Sequence, residues 1–321
     1  MYYKKLGNSD LKVSVISFGC WQFEKSWSED YNVDELKKTA EYAIEKGINF
    51  FDTAAAYGNG ESETLLGEII KNKRSKIIVA TKVLAKSYDK QYLLKMLNAS
   101  LERLNIDYVD IYQIHWPKRP FTKEMGEELI SSFKYLREIG KIRYGGISNF
   151  QGDEIKYCDD NIIISNQVPY NLFWRYIEDK DIDMCKKYYK SILTYSPLAQ
   201  GFLAGKFISG GPLPTSHRAS LRFTNPKNYD FIMNKIEQLR ELAKKYQISM
   251  ARLSICWLLS NQKVDSVICG MRNKKQLDEI LSALDFKMDE KLKEKVDKIT
   301  LPIKKMFDGS PQLWEGNYPI L

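Results

Sequence analysis

The sequence predicts an α/β protein built as a closed (β/α)8 barrel. Three observations carry that prediction. Eight short apolar runs of strand length recur from end to end. Segments of helical period separate most of them. The chain has 321 residues, and closed α/β barrels routinely exceed about 200 residues as one unit. Apolar runs alternating with helices imply parallel strands joined by crossover helices. Eight of them imply closure more than an open sheet.

Residues 1–14, "MYYKKLGNSDLKVS", read as a small N-terminal β-hairpin turning near Gly7 and Asn8 and capping the barrel bottom. The runs follow in order: "VISFG", "INFFD", "IIVATK", "VDIYQIH", "YGGIS", "IISNQV", "SILTYS" and "DSVICG". Between them lie patterns such as "VDELKKTAEYAIEKG" and "EELISSFKYLREIG", the second stopping at Gly140, as helix ends favour. The long carboxyl-side loops are expected at 199–228, Gly/Pro-rich and after the seventh run, and in a tail over 302–321 with Trp314 and Tyr318. Such loops commonly build sites. With no linker, low-complexity stretch or repeat beyond the β/α rhythm, the expectation is one barrel domain over 1–321.

Composition excludes several function classes. Hydrophobic residues make up 44% and charged residues 28%, enough apolar material for a large core. The net charge of +8 is mostly scattered lysine. Without a basic stripe interleaved with aromatics it argues against a nucleic-acid partner, leaving a solvated surface that mildly steers anions. Cys20, Cys158, Cys185, Cys256 and Cys269 form no CxxC pair and read as free thiols in a reducing cytoplasm. No secretory leader and no run near the ~20 apolar residues of a membrane span is expected.

The stretch "NFFDTAAAYGNGESETLLGEII", residues 49–70, contains three glycines, Gly58, Gly60 and Gly67. A dinucleotide loop needs G-x-G-x-x-G opening a helix directly after the first strand, and this spacing does not match. Gly58–Gly60 instead reads as a turn, Ser62 as a helix N-cap, and Gly67 as mid-helix. What remains is Asp52 at a strand end and Tyr57 five residues on. Two other runs also end on polar groups, at Lys82 and His115. Singly, each has an ordinary reading as a snorkelling lysine, a core histidine or a loop cap. Four such groups at the carboxyl end of one barrel define a chemistry. Asp52 pairs with Lys82. The ammonium favours the phenolate of Tyr57, lowering its pKa from about 10. Tyr57 then donates a proton to a carbonyl oxygen or takes it back. His115 hydrogen-bonds the same oxygen. No side chain supplies a hydride, so a nicotinamide cofactor is implied.

These segments resemble the aldo-keto reductase superfamily over nearly the whole chain. "FFDTAAAYGNGESETLLG" is similar to the family's signature around its Asp and Tyr, and "ATK" and "IYQIHWP" to the segments carrying its Lys and His. The order "GCW", "DTAAAYG", "ATK", "YQIHWP", "YGGISNF", "SNQVPYNL", "YSPLAQGFLAGK", "ICGMRNKKQL" resembles the bacterial, channel-β-subunit-like branch. The resemblance implies a (β/α)8 TIM barrel, the tetrad Asp52, Tyr57, Lys82 and His115, and NADP(H) at the barrel mouth. It implies Gly19, Trp21 and Asp52 beside the cofactor. Ser148, Asn149 and Gln167 would hold the nicotinamide carboxamide and Tyr195 would stack on the ring. Ser196, Leu198, Gln200, Gly201 and Leu203 would wrap the pyrophosphate with Lys206 nearby, making 199–228 a cofactor-covering loop. Gly270 ends the eighth strand before a helix N-terminus suited to phosphate. Arg272 would meet the adenosine 2′-phosphate, with Gln276 and Glu279 toward the adenine. Trp21, Tyr57, His115, Trp116, Tyr170 and Phe173 would line a substrate pocket for a small carbonyl or alcohol.

Ile280, Met271 and Cys20 depart from residues common in the family, the first two at the adenine end. His217 has no catalytic counterpart and reads as a surface loop residue. The expected function is an NADP-dependent aldehyde or ketone reductase, or its reverse, an alcohol or sugar dehydrogenase. The alternative is a cofactor-binding regulatory subunit like the channel β subunits. A metal-dependent barrel using Asp52 and His115 lacks a third ligand, and no metal is expected. Assembly into an oligomer is compatible with the sequence.

Overall fold

The computed structural model describes residues 1–25, 31–208, 211, 216–307 and 314. Strands β1 (Tyr3–Lys5) and β2 (Lys12–Ser14) form the antiparallel hairpin, with Lys4 opposite Val13. There follow β3 (Ile16–Gly19), α1 (Val33–Glu45), β4 (Phe50–Asp52), α2 (Glu61–Ile70), β5 (Ile78–Val83), α3 (Lys90–Leu104), β6 (Val109–Ile114) and α4 (Lys123–Glu138). Next come β7 (Ile142–Ser148), α5 (Asp153–Lys156), β8 (Ile163–Pro169), α6 (Asp181–Lys187), β9 (Ser191–Tyr195), α7 (Pro226–Lys245) and α8 (Met250–Ser260). The series ends with β10 (Ser266–Gly270), α9 (Lys274–Leu281) and α10 (Glu290–Phe307). Strands β3 to β10 close into one barrel, β10 pairing in parallel with both β3 and β9. All eight predicted runs are barrel strands.

Helices α1, α3 and α4 begin where side-chain oxygens satisfy the first free N–H groups. Asn32 accepts from Glu35 N, Asp89 from Gln91 N and Tyr92 N, and Thr122 from Met125 N. After α4, Gly140 takes φ +73°, a left-handed stop that glycine adopts without a Cβ clash.

The chain divides into two compact units. The first comprises residues 1–168, 179–195 and 263–277, and contains the hairpin and barrel. Side chains alternate faces along a strand, so one apolar set fills the barrel floor. Phe50, Ala80, Ile111, Tyr144, Ile164, Leu193 and Ile268 pack there with Leu6, Leu11 and Val13 of the hairpin. Two residues on, the same inward phase carries Asp52, Lys82, Gln113, Gly146, Tyr195 and Gly270. Strand β8 breaks the phase. Between the pairs Gly145–Ile163 and Ile147–Asn166 it has one extra residue, a bulge that brings Gln167 rather than Asn166 to the inward side.

The second unit comprises 169–178, 196–262 and the described part of 278–321, with α7, α8 and α10. Its centre is aromatic: Phe223 packs against Phe173, Trp174, Phe202 and Phe307. Arg175 ion-pairs with Glu178 and Asp297.

Three local expectations are corrected. Ser62 is not the N-cap of α2. That position falls to Gly60 at φ +97°, and the Ser62 hydroxyl instead bonds the Cys20 carbonyl at 2.8 Å and the Thr53 hydroxyl at 2.8 Å. The stretch 199–228 is not all loop: α7 starts at Pro226, capped by the Asn225 side chain, with proline at the position that needs no N–H. The tail expected from 302 begins inside α10, which runs to Phe307 through Pro302. Trp314 is buried and bridges to Leu221. Residues 209–210, 212–215, 308–313 and 315–321 of the expected loop and tail, Tyr318 among them, and the side chain of His217, lie outside the described residues.

Candidate active site

The polar layer above the barrel floor is fully buried at Asp52, Lys82, Gln113 and Gln167. Burying charge without a partner costs several kcal/mol, and each group here is paired. Lys82 Nζ donates to Asp52 Oδ2 at 2.6 Å, to the Thr53 carbonyl at 3.0 Å and to the Tyr57 hydroxyl at 3.2 Å, which uses its three donors. Asp52 Oδ1 accepts from Gln167 Nε2 at 2.8 Å and Gln113 Nε2 at 3.1 Å. Gln113 was missed by the sequence reading. The signal was available in its two-residue offset from Ile111, the same that links Phe50 to Asp52 and Ala80 to Lys82.

Tyr57 hangs over this pair from a turn whose three residues, Gly58, Asn59 and Gly60, all take left-handed φ, as the turn reading of that stretch requires. Its ring stacks on Trp21 with centroids 5.7 Å apart, and the His115 ring meets it edge-on at 5.7 Å and 80°. The structure thus brings the four expected tetrad residues together.

Electrostatics correct one expectation. The Tyr57 phenol sits above its usual pKa, not below it. The residue is partly exposed, yet desolvation is the largest influence and outweighs the lowering by Lys82, while the Asp52 carboxylate adds to the rise. The ammonium is present as expected, but it is spent largely on Asp52. Burial pulls the Lys82 ammonium down, and Asp52 and Tyr57 outweigh it, so the net shift is upward. Burial, then the Lys82 charge, holds His115 well below its ordinary value. The imidazole is therefore neutral near pH 7, with Nδ1 buried and without a partner among the described residues.

The residues expected around the nicotinamide are gathered in the same unit. Ser148 donates to the Gln167 carbonyl at 2.9 Å. Asn149, at φ +65°, donates to the His115 carbonyl at 3.0 Å and accepts from the Tyr195 hydroxyl at 2.9 Å. Gly19 and Gly270 are register partners across β3 and β10. A Cβ at Gly270 would stand 2.6 Å from Gln22 Nε2, so the glycine makes room for the Gln22 amide. Gln22 Oε1 is buried without a partner among the described residues. The Arg272 backbone N–H donates to Gln276 Oε1 at 2.9 Å, and Asn273 caps the start of α9 through Gln276 N. Buried polar atoms without partners among the described residues, Gln22 Oε1 and His115 Nδ1, together with a helix start, fit a polar dinucleotide.

The remaining expected residues are placed as follows. Trp116 is buried beside His115 in sequence. In the second unit, the Tyr170 hydroxyl donates to Glu178 at 2.7 Å and its ring packs on Trp257, while Phe173 is buried against Phe223. Ser196 and Gln200 take left-handed φ of +53° and +57°, and Gln200 Nε2 donates to Ser196 Oγ at 2.7 Å. The Gly201 and Leu203 N–H groups both bond the Leu198 carbonyl, so in this conformation they serve the loop itself. A Cβ on Gly201 would lie 3.0 Å from the Lys206 stem. Ser249 bonds Glu279, and Met271 and Ile280 are buried.

A parallel barrel with an Asp–Lys–Tyr–His cluster at the carboxyl ends of its strands defines a class of oxidoreductase. Residues 15–300 match the aldo/keto reductase family model, and the chain belongs to that family. Among curated relatives, a "probable voltage-gated potassium channel subunit beta" of Arabidopsis thaliana is 31% identical over 89% of this chain and 92% of its own. "Probable aldo-keto reductase 1" of Glycine max is 32% identical over 89% and 85%. Among solved structures, the glycerol dehydrogenase AKR11B4 from Gluconobacter oxydans superposes with a TM-score of 0.82 at 26% identity, covering 92% of this chain and 94% of that one. A thermostable aldo-keto reductase, Tm1743, in complex with the inhibitor epalrestat, gives 0.74 at 27% identity over 93% and 100%.

Proposed function

We propose that the protein is an NADP(H)-dependent oxidoreductase that interconverts aldehydes or ketones with alcohols, Tyr57 acting as general acid and base. The observation that carries this reading is Lys82 donating at once to Asp52 and to the Tyr57 hydroxyl. A nicotinamide supplies the hydride when bound. Tyr57 gives the carbonyl oxygen its proton, and neutral His115 orients that oxygen. Ser148, Asn149 and Gln167 would hold the carboxamide, Tyr195 the ring face, and Arg272 the 2′-phosphate through a charge-assisted bond of about 1.5–3 kcal/mol. The buried free cysteines suit a reducing cytoplasm. The test is Tyr57→Phe, assayed with NADPH on a panel of small carbonyls. Turnover is expected to vanish while NADPH still quenches tryptophan fluorescence with unchanged affinity. Retained turnover would end the assignment.

The relatives named as channel β subunits favour a second reading, a cofactor-binding partner subunit. Among the described residues no helix is long and apolar enough to cross a membrane. Co-purification with a membrane protein, without turnover on any carbonyl, would favour it.

A further inference from the structure

The proposed function uses Asp52, Lys82, Tyr57 and His115 and leaves Gln113 without a role. Yet Gln113 is completely buried in the middle of the polar layer. Its Nε2 donates to Asp52 Oδ1 at 3.1 Å, and its Oε1 accepts from Gln167 Nε2 at 3.4 Å. An amide inside a barrel is tolerated only when hydrogen-bonded and given room. The room comes from β7: a Cβ on Gly146 would stand 2.9 Å from Gln113 Cγ and 3.0 Å from Ser165 Oγ. The glycine and the glutamine therefore form one feature, a space and the side chain that fills it.

We propose that Gln113 is a positioning residue for proton transfer, fixing the Asp52 carboxylate so that Lys82 stays shared between Asp52 and Tyr57. The inference rests on the function proposed above. Asp52 Oδ1 has two amide donors, and that function assigns Gln167 a second duty toward the cofactor. Among the described residues, the Gln113 amide bonds only Asp52 and Gln167, both within this cluster. Its N–H offsets part of the carboxylate's charge. Without it, Asp52 turns more fully on Lys82 and its field at Tyr57 grows more negative. Both changes make the phenol a weaker acid, so the signs agree. The groups facing Tyr57 are Asp52 from β4, Lys82 from β5, Cys20 after β3, His115 after β6 and Tyr195 from β9. Gln113 is thus the neutral group that sets the balance between the charged pair.

The experiment compares wild type with Gln113→Leu and Gln113→Met, the latter keeping an unbranched stem, each checked for a cooperative melt. Gly146→Ala reaches the same amide without altering it. The readouts are kcat, NADPH affinity and the pH dependence of carbonyl reduction. Losing a hydrogen bond to a charged group predicts a kcat lower by roughly 10- to 100-fold, with NADPH affinity within about twofold. Reduction needs the protonated phenol, so activity falls as pH rises through its pKa. In the variants that basic limb moves to higher pH. A variant that is merely loosened loses melting temperature without moving the limb. Wild-type kcat and an unmoved limb in a folded Gln113 variant would overturn the proposal while leaving the proposed function standing. If the wild type itself turns over no carbonyl, the proposed function fails first, and Gln113 has no reaction to position.

Discussion

Lys82→Met removes the one cation of the buried layer and keeps most of its stem volume. In the wild type its Nζ lies 2.6 Å from Asp52 Oδ2, and the two side chains are 0% and 4% exposed. Exposed ion pairs are worth about 0.2–1 kcal/mol. Truncating one partner of a buried pair costs about 3–5 kcal/mol, because the other charge is left uncompensated. Asp52 would keep its two amide donors on Oδ1, which places the expectation near the lower bound, about 3 kcal/mol. Asp52→Asn strands the lysine instead and is expected to cost a similar amount. In the double variant both charges are gone, so its loss should fall short of the sum of the two single losses by up to about 3 kcal/mol. The assay is denaturant unfolding at pH 7, read from the midpoint at constant slope. Turnover separates stability from chemistry. Both Lys82→Met and the double variant should lose about 10²- to 10⁴-fold in kcat, since neither restores a cation beside Tyr57. Strictly additive stability losses, or a Lys82→Met protein as stable and active as wild type, would refute the pairing argument.

Two further outcomes follow from the barrel and its mouth. His115 is held below its usual pKa, so below about pH 6.5 the unfolded chain binds a proton that the folded protein refuses. Melting temperature should fall as pH drops below that value, and His115→Asn should flatten this part of the curve; an equal slope in both proteins would contradict it. Gly67 lies inside α2, where alanine would ordinarily gain about 1 kcal/mol, but its Cβ would meet the Leu104 carbonyl at 2.3 Å. Gly67→Ala should therefore destabilise by about 1–3 kcal/mol, measured by the same unfolding experiment, and a stabilised variant would show that α2 and α3 can separate freely.

Much of the barrel was legible because two kinds of signal agree. The apolar runs have strand length and the segments between them have helical period, and each run became a strand. The tetrad was legible because Asp52, Lys82 and His115 interrupt or end apolar runs, where a polar group needs a reason. Gln113 was harder, because it sits one residue before Ile114 inside a run that reads as plain strand. Gln167 could be placed by resemblance but not by phase, since the β8 bulge that turns it inward leaves no mark on the local pattern. Ser62 misled because it has the composition of a cap, whereas the chain starts α2 through a left-handed Gly60 and uses the hydroxyl to tie β3 and β4 to the helix. The Tyr57 shift was not legible at all: a sequence can supply the nearby ammonium, but burial is a property of the assembled mouth.

That shift also says what the resting site offers. Asp52 and Lys82 cancel each other, and their further hydrogen bonds go to Thr53, Tyr57, Gln113 and Gln167. Tyr57 is protonated, because burial raises its pKa, and His115 is neutral, because burial and Lys82 lower its own. The mouth of the barrel therefore presents two neutral groups backed by a compensated pair. An oxygen acquiring negative charge between them would be the first unbalanced charge in the layer. Lys82, already 3.2 Å from the phenol oxygen, stands where that charge would arrive if Tyr57 gave up its proton as proposed. Under the proposed function, the ion pair that stabilises the barrel becomes a stabilising field for the phenolate only as the proton moves, which is the condition for a group to assist a reaction rather than its ground state.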